Sequence, residues 1–269
     1  MAGGASSSSS PFYGLSWDRQ SCWLDSSLMS LFFPDKMHSI MLPFLQKNTN
    51  PELREIKSHV LDVVAQIRTP GKVGHLHDLR DQLRRFNTTR DQRNAFQPAD
   101  KFGFVFYFLQ EFLRLFDYPP LLATREGRVR TARSLPHSHK KNLKLYVVEV
   151  EYCHSETLQK CLETNYRGWT FERESLRYLI IELISHDVTP QLKMRWQGVR
   201  WTLQSMIVFD CSHFVAYVRR GASWYMHDDN RTFQHAPITA YDFGDYYQRG
   251  MCHFEYGVKN TFFFYTPSS

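Results

Sequence analysis

The period of the hydrophobic pattern changes along this chain, and that change restricts the fold more than any other feature. In the first part, apolar residues recur at helical intervals, as they do at Leu76, Leu79, Leu83 and Phe86. From Leu143 onward the period approaches two, and β-branched and aromatic residues become common. The sequence therefore predicts an α+β fold in which helices come first and a sheet follows.

The same patterns predict the bounds of individual elements. Helices are expected at residues 22–32, 52–68, 75–86 and 102–116. Pro34 stops the first helix, Pro51 precedes the second, and Asp100 can cap the last. Strands are expected at residues 143–152, 179–184, 200–209, 213–220, 223–227 and 261–265.

Changes in composition divide the chain into four segments. Residues 1–11 are rich in Gly and Ser and are expected to be flexible. Residues 12–118 form a helical lobe, and residues 143–269 form a β-rich lobe. Between them, residues 119–142 read as a long basic connection. Because no aromatic residues interleave its charges, we interpret it as a solvated loop and not as a nucleic-acid site.

Composition also excludes several classes of protein. Hydrophobic residues make up 42% of the 269 residues, which excludes a disordered or fibrous chain. The five cysteines follow no regular spacing, so we expect an intracellular protein, cytoplasmic or nuclear. The most apolar run is broken by Gln110, Glu111 and Arg114, so no membrane contact is expected.

Cys22 is the first candidate for chemistry. It lies at the predicted start of a helix, in the run QSCWLDS at residues 20–26. Unpaired N–H groups and the helix dipole favour a thiolate at that position, and a thiolate is the nucleophilic form of cysteine. The alternative interpretation is a small buried apolar residue.

His213 and Asp228 are the second candidate group. The run HFVAYVRR at 213–220 and the run SWYMHDD at 223–229 read as two strands joined by a turn at Gly221. On such a hairpin Asp228 can orient the His213 ring, which then takes a proton from a thiol. Strand alternation is expected to send Asp228 and Asp229 to opposite faces. Taken singly, a residue such as His213 is more often a strand histidine and one such as Asp228 more often a turn residue.

Together these runs resemble the Cys and His boxes of ubiquitin-specific proteases. The family core Cys-aromatic-hydrophobic-Asn-Ser corresponds to CWLDS at residues 22–26. The His box is similar at WTL (201–203), MIV (206–208), HFVAYVR (213–219) and WYMHDD (224–229), and FFFY at 262–265 resembles the closing strand. The resemblance covers both ends of the chain and is weak between them.

The resemblance implies a papain-like cysteine peptidase. It implies a helical thumb at 12–118 and an antiparallel β palm with reduced fingers at 143–269. Cys22 would be the nucleophile, His213 the base and Asp228 the orienting acid. The reaction would be hydrolysis of the (iso)peptide bond after the C-terminal Gly-Gly of ubiquitin or a ubiquitin-like protein, through a thioester and without a cofactor.

The chain departs from the family pattern beside the nucleophile. Trp17 and Gln20 stand where the family has asparagines, five and two residues before the cysteine. The Gln20 amide, with the backbone N–H of Cys22, is therefore the expected donor to the oxyanion.

Four more residues are expected to bind substrate. The family motif Gln-Gln-Asp-x-x-Glu-Phe-Leu is reduced here, with Phe108 in place of the Asp and Glu111 kept, and both would line the channel for the substrate tail. Ser212 stands where the family prefers Gly, at the wall of the tunnel that admits Gly-Gly, and Phe214 follows His213 in the same region.

No metal is expected. The fingers of the family carry two Cys-x-x-Cys pairs that this chain lacks, and Cys153, His154 and Cys161 make a poor tetrahedral site. The expected partners are conjugates of ubiquitin or a ubiquitin-like protein, not nucleic acid, and the chain is expected to be a monomer. Two alternatives stay open: a thioester-forming acyltransferase of transglutaminase or arylamine N-acetyltransferase type, and an inactive ubiquitin-binding module.

Overall fold

The computed structural model describes residues 10–16, 21–86, 90–96, 104–125, 142–150, 157–184, 191–210, 213–230, 238–241 and 260–268. The helices in these ranges are α1 (Cys22–Phe32), α2 (Asp35–Lys47), α3 (Arg54–Arg68), α4 (His77–Leu83), α5 (Arg90–Ala95), α6 (Val105–Leu115) and α7 (Leu158–Asn165). The strands are β1 (Gly14–Leu15), β2 (Val73–Gly74), β3 (Leu121–Arg125), β4 (Asn142–Leu145), β5 (Val148–Val150), β6 (Trp169–Phe171), β7 (Leu179–Ile184), β8 (Lys193–Trp196), β9 (Val199–Asp210), β10 (His213–Arg220), β11 (Ser223–His227), β12 (Thr239–Tyr241) and β13 (Asn260–Pro267).

The helices follow the sequence pattern where the pattern is strong. Helix α1 has the predicted bounds, and α3 follows a 3-10 turn at Pro51–Leu53. Helix α6 starts after Phe104, and its predicted cap, Asp100, lies outside the described residues. Helices α2, α5 and α7 were not predicted. Helix α2 carries Pro43 inside it, a residue that normally breaks helices, so its sequence does not read as helical.

The strands that carry the candidate residues were predicted well. Strands β7, β10 and β11 have the predicted bounds, and β9 and β13 are slightly longer than predicted. The single strand predicted at 143–152 is instead divided between β4 and β5 by a bend at Tyr146 and Val147. Strand β3 was not predicted, because it lies in the segment interpreted as a basic connection.

A large, mostly antiparallel sheet organises the second half of the chain. Its strand order is β12-β11-β10-β9-β13-β7-β5, with β8 also paired to β9. Among the described residues of this sheet, β5 and β7 pair in parallel and the other neighbours pair antiparallel. A smaller sheet has the order β4-β3-β6. The prediction of a mixed α+β protein is confirmed.

The two faces of the large sheet pack against different partners. Phe262 and Phe264 of β13 point into one hydrophobic cluster, which contains the buried faces of α1, α2, α3 and α6. Phe263 and Tyr265 point into a second cluster with α7 and the small sheet. This alternation is the period-two pattern of the sequence. Within the described residues no helix combines the length and apolar character needed to cross a membrane.

Hydrogen bonds from serine side chains fasten α1 to the sheet. Ser26 Oγ donates to the carbonyl of Phe214 in β10 at 3.2 Å, and Ser205 Oγ of β9 donates to the carbonyl of Ser30 at 3.0 Å. All eleven residues of α1 are buried. The first turn of α1 is thereby held near the start of β10.

Candidate active site

Cys22 is the first residue of α1, as the sequence predicts. Its side chain is buried and forms no disulfide. Ser21 precedes it, and its side chain does not cap the helix but donates from Oγ to Asp25 Oδ2 at 2.5 Å. The thiol therefore lies at a helix N-terminus, where backbone N–H groups favour negative charge.

The structure brings His213 to Cys22. His213 is the first residue of β10, and its ring is within hydrogen-bonding reach of the Cys22 thiol. Its Nε2 atom lies 3.0 Å from Asp228 Oδ1. Because a carboxylate only accepts hydrogen bonds, Nε2 donates to Asp228, which leaves Nδ1 for Cys22.

The charges around His213 favour its protonated form. The hydrogen bond to Asp228 and then that to Cys22 raise the pKa of His213 to about 10, against the opposing effect of burial. The hydrogen bond to His213 is likewise the main reason that the pKa of Asp228 is lowered. The described atoms thus match an imidazolium that a carboxylate orients beside the Cys22 thiol.

Asp229 also faces His213, which corrects the expectation that Asp228 and Asp229 point to opposite faces. Asp229 Oδ1 lies 3.3 Å from His213 Nε2, and only 1% of the Asp229 side chain is exposed. Strand β11 ends at His227 and the backbone becomes helical at Asp229, so strand alternation no longer applies.

A further buried carboxyl group, Asp25, lies in the first turn of α1. It is fully buried and within hydrogen-bonding reach of Asp229. Burial, followed by the charge of Asp229, raises the pKa of Asp25 well above its usual range. Asp25 and Asp229 have no predicted role, because nothing local in the sequence shows that they meet.

His227 connects this region to the N-terminal strand. Its Nε2 atom lies 3.0 Å from both the N and the O atom of Leu15, and burial lowers the pKa of His227. A neutral His227 therefore fastens the end of β11, just before Asp228, to β1.

Three groups in the site have atoms spaced closely enough to hold a metal ion. Ligand atoms of His213, Asp228 and Asp229 lie within 4.8 Å of one another. An imidazole between two carboxylates accounts for this cluster, and we assign it no metal. Cys161, which sequence analysis considered as a poor zinc ligand, is buried inside α7, and Cys153 and His154 lie outside the described residues.

The structure describes Phe108 and Phe214 but not the other two predicted site residues considered next. Gln20 and Ser212 lie outside the described residues, so their roles stay predictions. Phe214 packs against Phe209, with ring centroids 4.7 Å apart. Phe108 does not line an open channel in this structure, because it is fully buried between Trp23, Phe96 and Phe112.

Glu111 also differs from its expected setting. Its carboxylate accepts hydrogen bonds from Arg114 at 2.6 and 3.0 Å, one turn along the same helix. Only 7% of the Glu111 side chain is exposed. Any contact of Glu111 with a substrate would have to compete with Arg114.

A cavity of about 240 Å³ lies between the start of α6 and the large sheet. Phe214 forms part of its wall, together with Phe262 and the first residues of α6. Glu149 of β5 and Glu182 of β7 face it, and these two residues are directly paired across the strands. Burial, followed by the charge of Glu149, raises the pKa of Glu182 to about 8.

Comparison with known proteins agrees with this fold. No protein-family model and no curated protein matches the sequence. Among solved structures, an essential yeast splicing factor superposes with a TM-score of 0.61 at 11% identity, covering 96% of this chain and 70% of the other. The pseudoubiquitin hydrolase–RNA exonuclease module of Saccharomyces cerevisiae Pan2, in complex with AAGGA RNA, superposes with a TM-score of 0.66 at 11% identity, covering 97% and 54%.

These similarities define the class of fold and nothing finer. The chain has a fold like that of a ubiquitin-hydrolase-type module, and it spans about half the length of the Pan2 chain. At 11% identity the function of either neighbour does not transfer.

Proposed function

We propose that this protein is a papain-like cysteine peptidase that hydrolyses the (iso)peptide bond after the C-terminal Gly-Gly of ubiquitin or a ubiquitin-like protein. The observation that carries the proposal is that the His213 ring approaches the Cys22 thiol at the start of a helix and lies 3.0 Å from Asp228 Oδ1. Each residue has the neighbour that its role requires. Helices α1–α6 would form the thumb and the large sheet the palm.

The mechanism follows from the charge state of the pair. The Cys22 thiolate attacks the carbonyl carbon of the terminal Gly, and the His213 imidazolium gives its proton to the departing amine. Water then attacks the thioester while neutral His213 takes one of its protons, and Cys22 leaves as thiolate. Asp228 accepts the Nε2–H bond throughout and keeps Nδ1 directed at the reaction.

The oxyanion needs a donor in both steps. The backbone N–H of Cys22, at the start of α1, is available in the first turn of the helix. The Gln20 amide is the second proposed donor.

One specific observation favours a second candidate function, an inactive ubiquitin-binding module. The Pan2 neighbour is itself described as a pseudoubiquitin hydrolase, and Trp17, Gln20 and Phe108 replace polar residues of the family motifs. Against it stands the hydrogen-bonded Cys22, His213 and Asp228, which a pure binding module does not need.

A covalent probe separates the two functions. Purified protein is treated with ubiquitin, and separately with ubiquitin-like proteins, each carrying a C-terminal electrophile. We expect a covalent adduct on Cys22 with at least one probe and none with Cys22→Ala, which removes the nucleophile at small packing cost. Binding of unmodified ubiquitin without any adduct would favour the inactive module.

The rate of hydrolysis of a ubiquitin substrate with a C-terminal fluorogenic group is a second test of Cys22 as the nucleophile. Cys22→Ala should lose essentially all turnover while keeping the circular dichroism spectrum of the wild type. Turnover that persists in this variant would show that Cys22 is not the nucleophile.

A further inference from the structure

We propose that Asp25 carries a proton and donates a hydrogen bond from its buried carboxyl group to Asp229, so that Asp25 positions the Asp229 carboxylate beside His213. This inference rests on the proposed function and adds a positioning residue to its site. Neither aspartate belongs to the three residues that carry the mechanism.

The first support is a shortage of hydrogen-bond donors. Asp25 Oδ2 accepts from Ser21 Oγ at 2.5 Å, but no described residue donates to Asp25 Oδ1 or to either carboxylate oxygen of Asp229. Exposed fractions are 0% for Asp25 and 1% for Asp229, so water does not cover them. Leaving these buried carboxylate oxygens without donors would be costly if both groups were ionised.

The second support is that the two carboxyl groups lie within hydrogen-bonding reach of each other. Like charges at such a distance cannot both persist in a buried site, and one shared proton removes the repulsion. That proton also supplies the missing donor. Asp25 Oδ1 is the oxygen of Asp25 that Ser21 leaves without a partner.

The surroundings decide which aspartate carries the proton. Asp229 Oδ1 is 3.3 Å from His213 Nε2, so Asp229 is the aspartate that lies beside the positively charged imidazolium. Asp25 faces Ser21 and Cys22 on its own helix, and burial together with the charges of Asp229 and Cys22 disfavours a second anion there. His227 of β11, kept neutral by burial, supplies no competing cation.

The geometry indicates what the proton on Asp25 does in the site. With its carboxylate fixed by Asp25, Asp229 faces the same nitrogen of His213 that binds Asp228 at 3.0 Å. A hydroxyl donor on Asp25 can be replaced by the amide of asparagine, which has the same shape and is always neutral. Alanine offers no donor at this position.

Activity tests the positioning role. We compare Asp25→Asn with Asp25→Ala on the fluorogenic ubiquitin substrate. The asparagine variant should exceed the alanine variant in kcat/KM by at least about tenfold, the effect of a hydrogen bond to a charged group. Equal activity of the two variants, with both folded, would overturn the positioning role.

Infrared spectroscopy tests the proton directly and does not depend on activity. The wild type minus Asp25→Asn difference spectrum at neutral pH should contain the C=O band of a protonated carboxyl group. The matched control is Asp81→Asn, whose side chain is 73% exposed on α4 and should lose carboxylate bands instead. Loss of carboxylate bands in Asp25→Asn, with or without a bound cation found by elemental analysis, would overturn the proposal.

Unfolding gives a second readout that is independent of catalysis. Because the pKa of folded Asp25 is raised, its contribution to stability is complete below the pKa of the unfolded chain and is lost as pH rises through the folded value. The wild type should therefore lose more stability than Asp25→Asn between acidic and alkaline pH, and equal losses would overturn the proposal. If neither the wild type nor any variant hydrolyses the ubiquitin substrate, the proposed function is wrong. An infrared band of the protonated carboxyl group would still support the shared proton in that case.

Discussion

Single residues set the charge state on which this site depends. His213 is held between Asp228, Asp229 and Cys22, and the first and last of these bind it directly. The local patterns, combined with the family resemblance, predicted Cys22, His213 and Asp228. They did not predict that Asp229 faces the same ring, because this depends on where β11 ends.

Asp228→Asn tests the stronger of the two carboxylate contacts. The hydrogen bond to Asp228 is the largest cause of the raised pKa of His213, about 10, so its loss should lower that pKa. We expect kcat/KM to fall by roughly 100-fold or more, which is the range for general acid–base groups. The alkaline limb of the pH profile should move from about pH 10 towards neutrality, because imidazolium is then lost earlier.

Asp229→Asn is the control for this prediction. Asp229 lies 3.3 Å away and acts mainly through its charge, so its loss should shift the alkaline limb less. A larger shift in Asp229→Asn than in Asp228→Asn would assign the orienting role to Asp229.

Elements hold these residues in register. Helix α1 is bound to β10 and β9 by Ser26 and Ser205, and β11 is bound to β1 by His227. The bounds of α1, β10 and β11 follow from hydrophobic periodicity and were predictable. The short strand β1 was not, because two residues carry no period.

Gly14→Ala tests the contact between β1 and β11. Gly14 has φ +81°, and a Cβ atom there would overlap the His227 ring and approach Ile238. We expect a loss of about 1–3 kcal/mol from backbone strain, and more from the overlap. Denaturant unfolding measures the change, and hydrolysis should fall as well because His227 adjoins Asp228.

Gly198→Ala is its matched control. Gly198 has a similar φ of +73°, but a Cβ atom there would meet nothing within 4 Å. It should therefore cost only the backbone strain, about 1–3 kcal/mol, without the added cost of an overlap. Equal destabilisation by the two substitutions would show that the His227 contact contributes nothing.

At the scale of the whole molecule, residues from several elements together line one cavity. Helix α6, strands β5 and β7, and Phe214 of β10 meet around Glu149 and Glu182. The buried Glu182 and the half-buried Glu149, beside the residue that follows His213, suit a basic side chain in a substrate tail. Glu111, the acidic residue first predicted to hold the tail, is paired with Arg114.

Glu182→Gln tests this cavity. A tail arginine that ionises Glu182 would gain a charge-assisted hydrogen bond, about 1.5–3 kcal/mol, so its loss should weaken binding of an Arg-bearing tail roughly ten- to a hundred-fold. An Ala-bearing tail should be little affected. Because the pKa of Glu182 is about 8, the wild-type preference for Arg should also grow as pH rises through 8.

Glu111→Gln is the comparison that decides between the two acidic sites. Kinetic measurements on substrates with Arg or Ala in the tail should show little change in binding of either tail for Glu111→Gln. Glu182→Gln should weaken binding of the Arg-bearing tail and leave the Ala-bearing tail little affected. The reverse result would return the tail contact to Glu111.

The sequence by itself determined the α+β class and the bounds of α1, β10 and β11, and it predicted Cys22, His213 and Asp228 as site residues. Periodicity and helix-start chemistry are local, so a single chain reveals them. Only the tertiary structure decided that Asp25 meets Asp229, that Phe108 is buried and that Glu182 faces a cavity. These outcomes depend on packing between segments far apart in the chain, such as Ser26 and Phe214, 188 positions apart, and no local pattern encodes such distances.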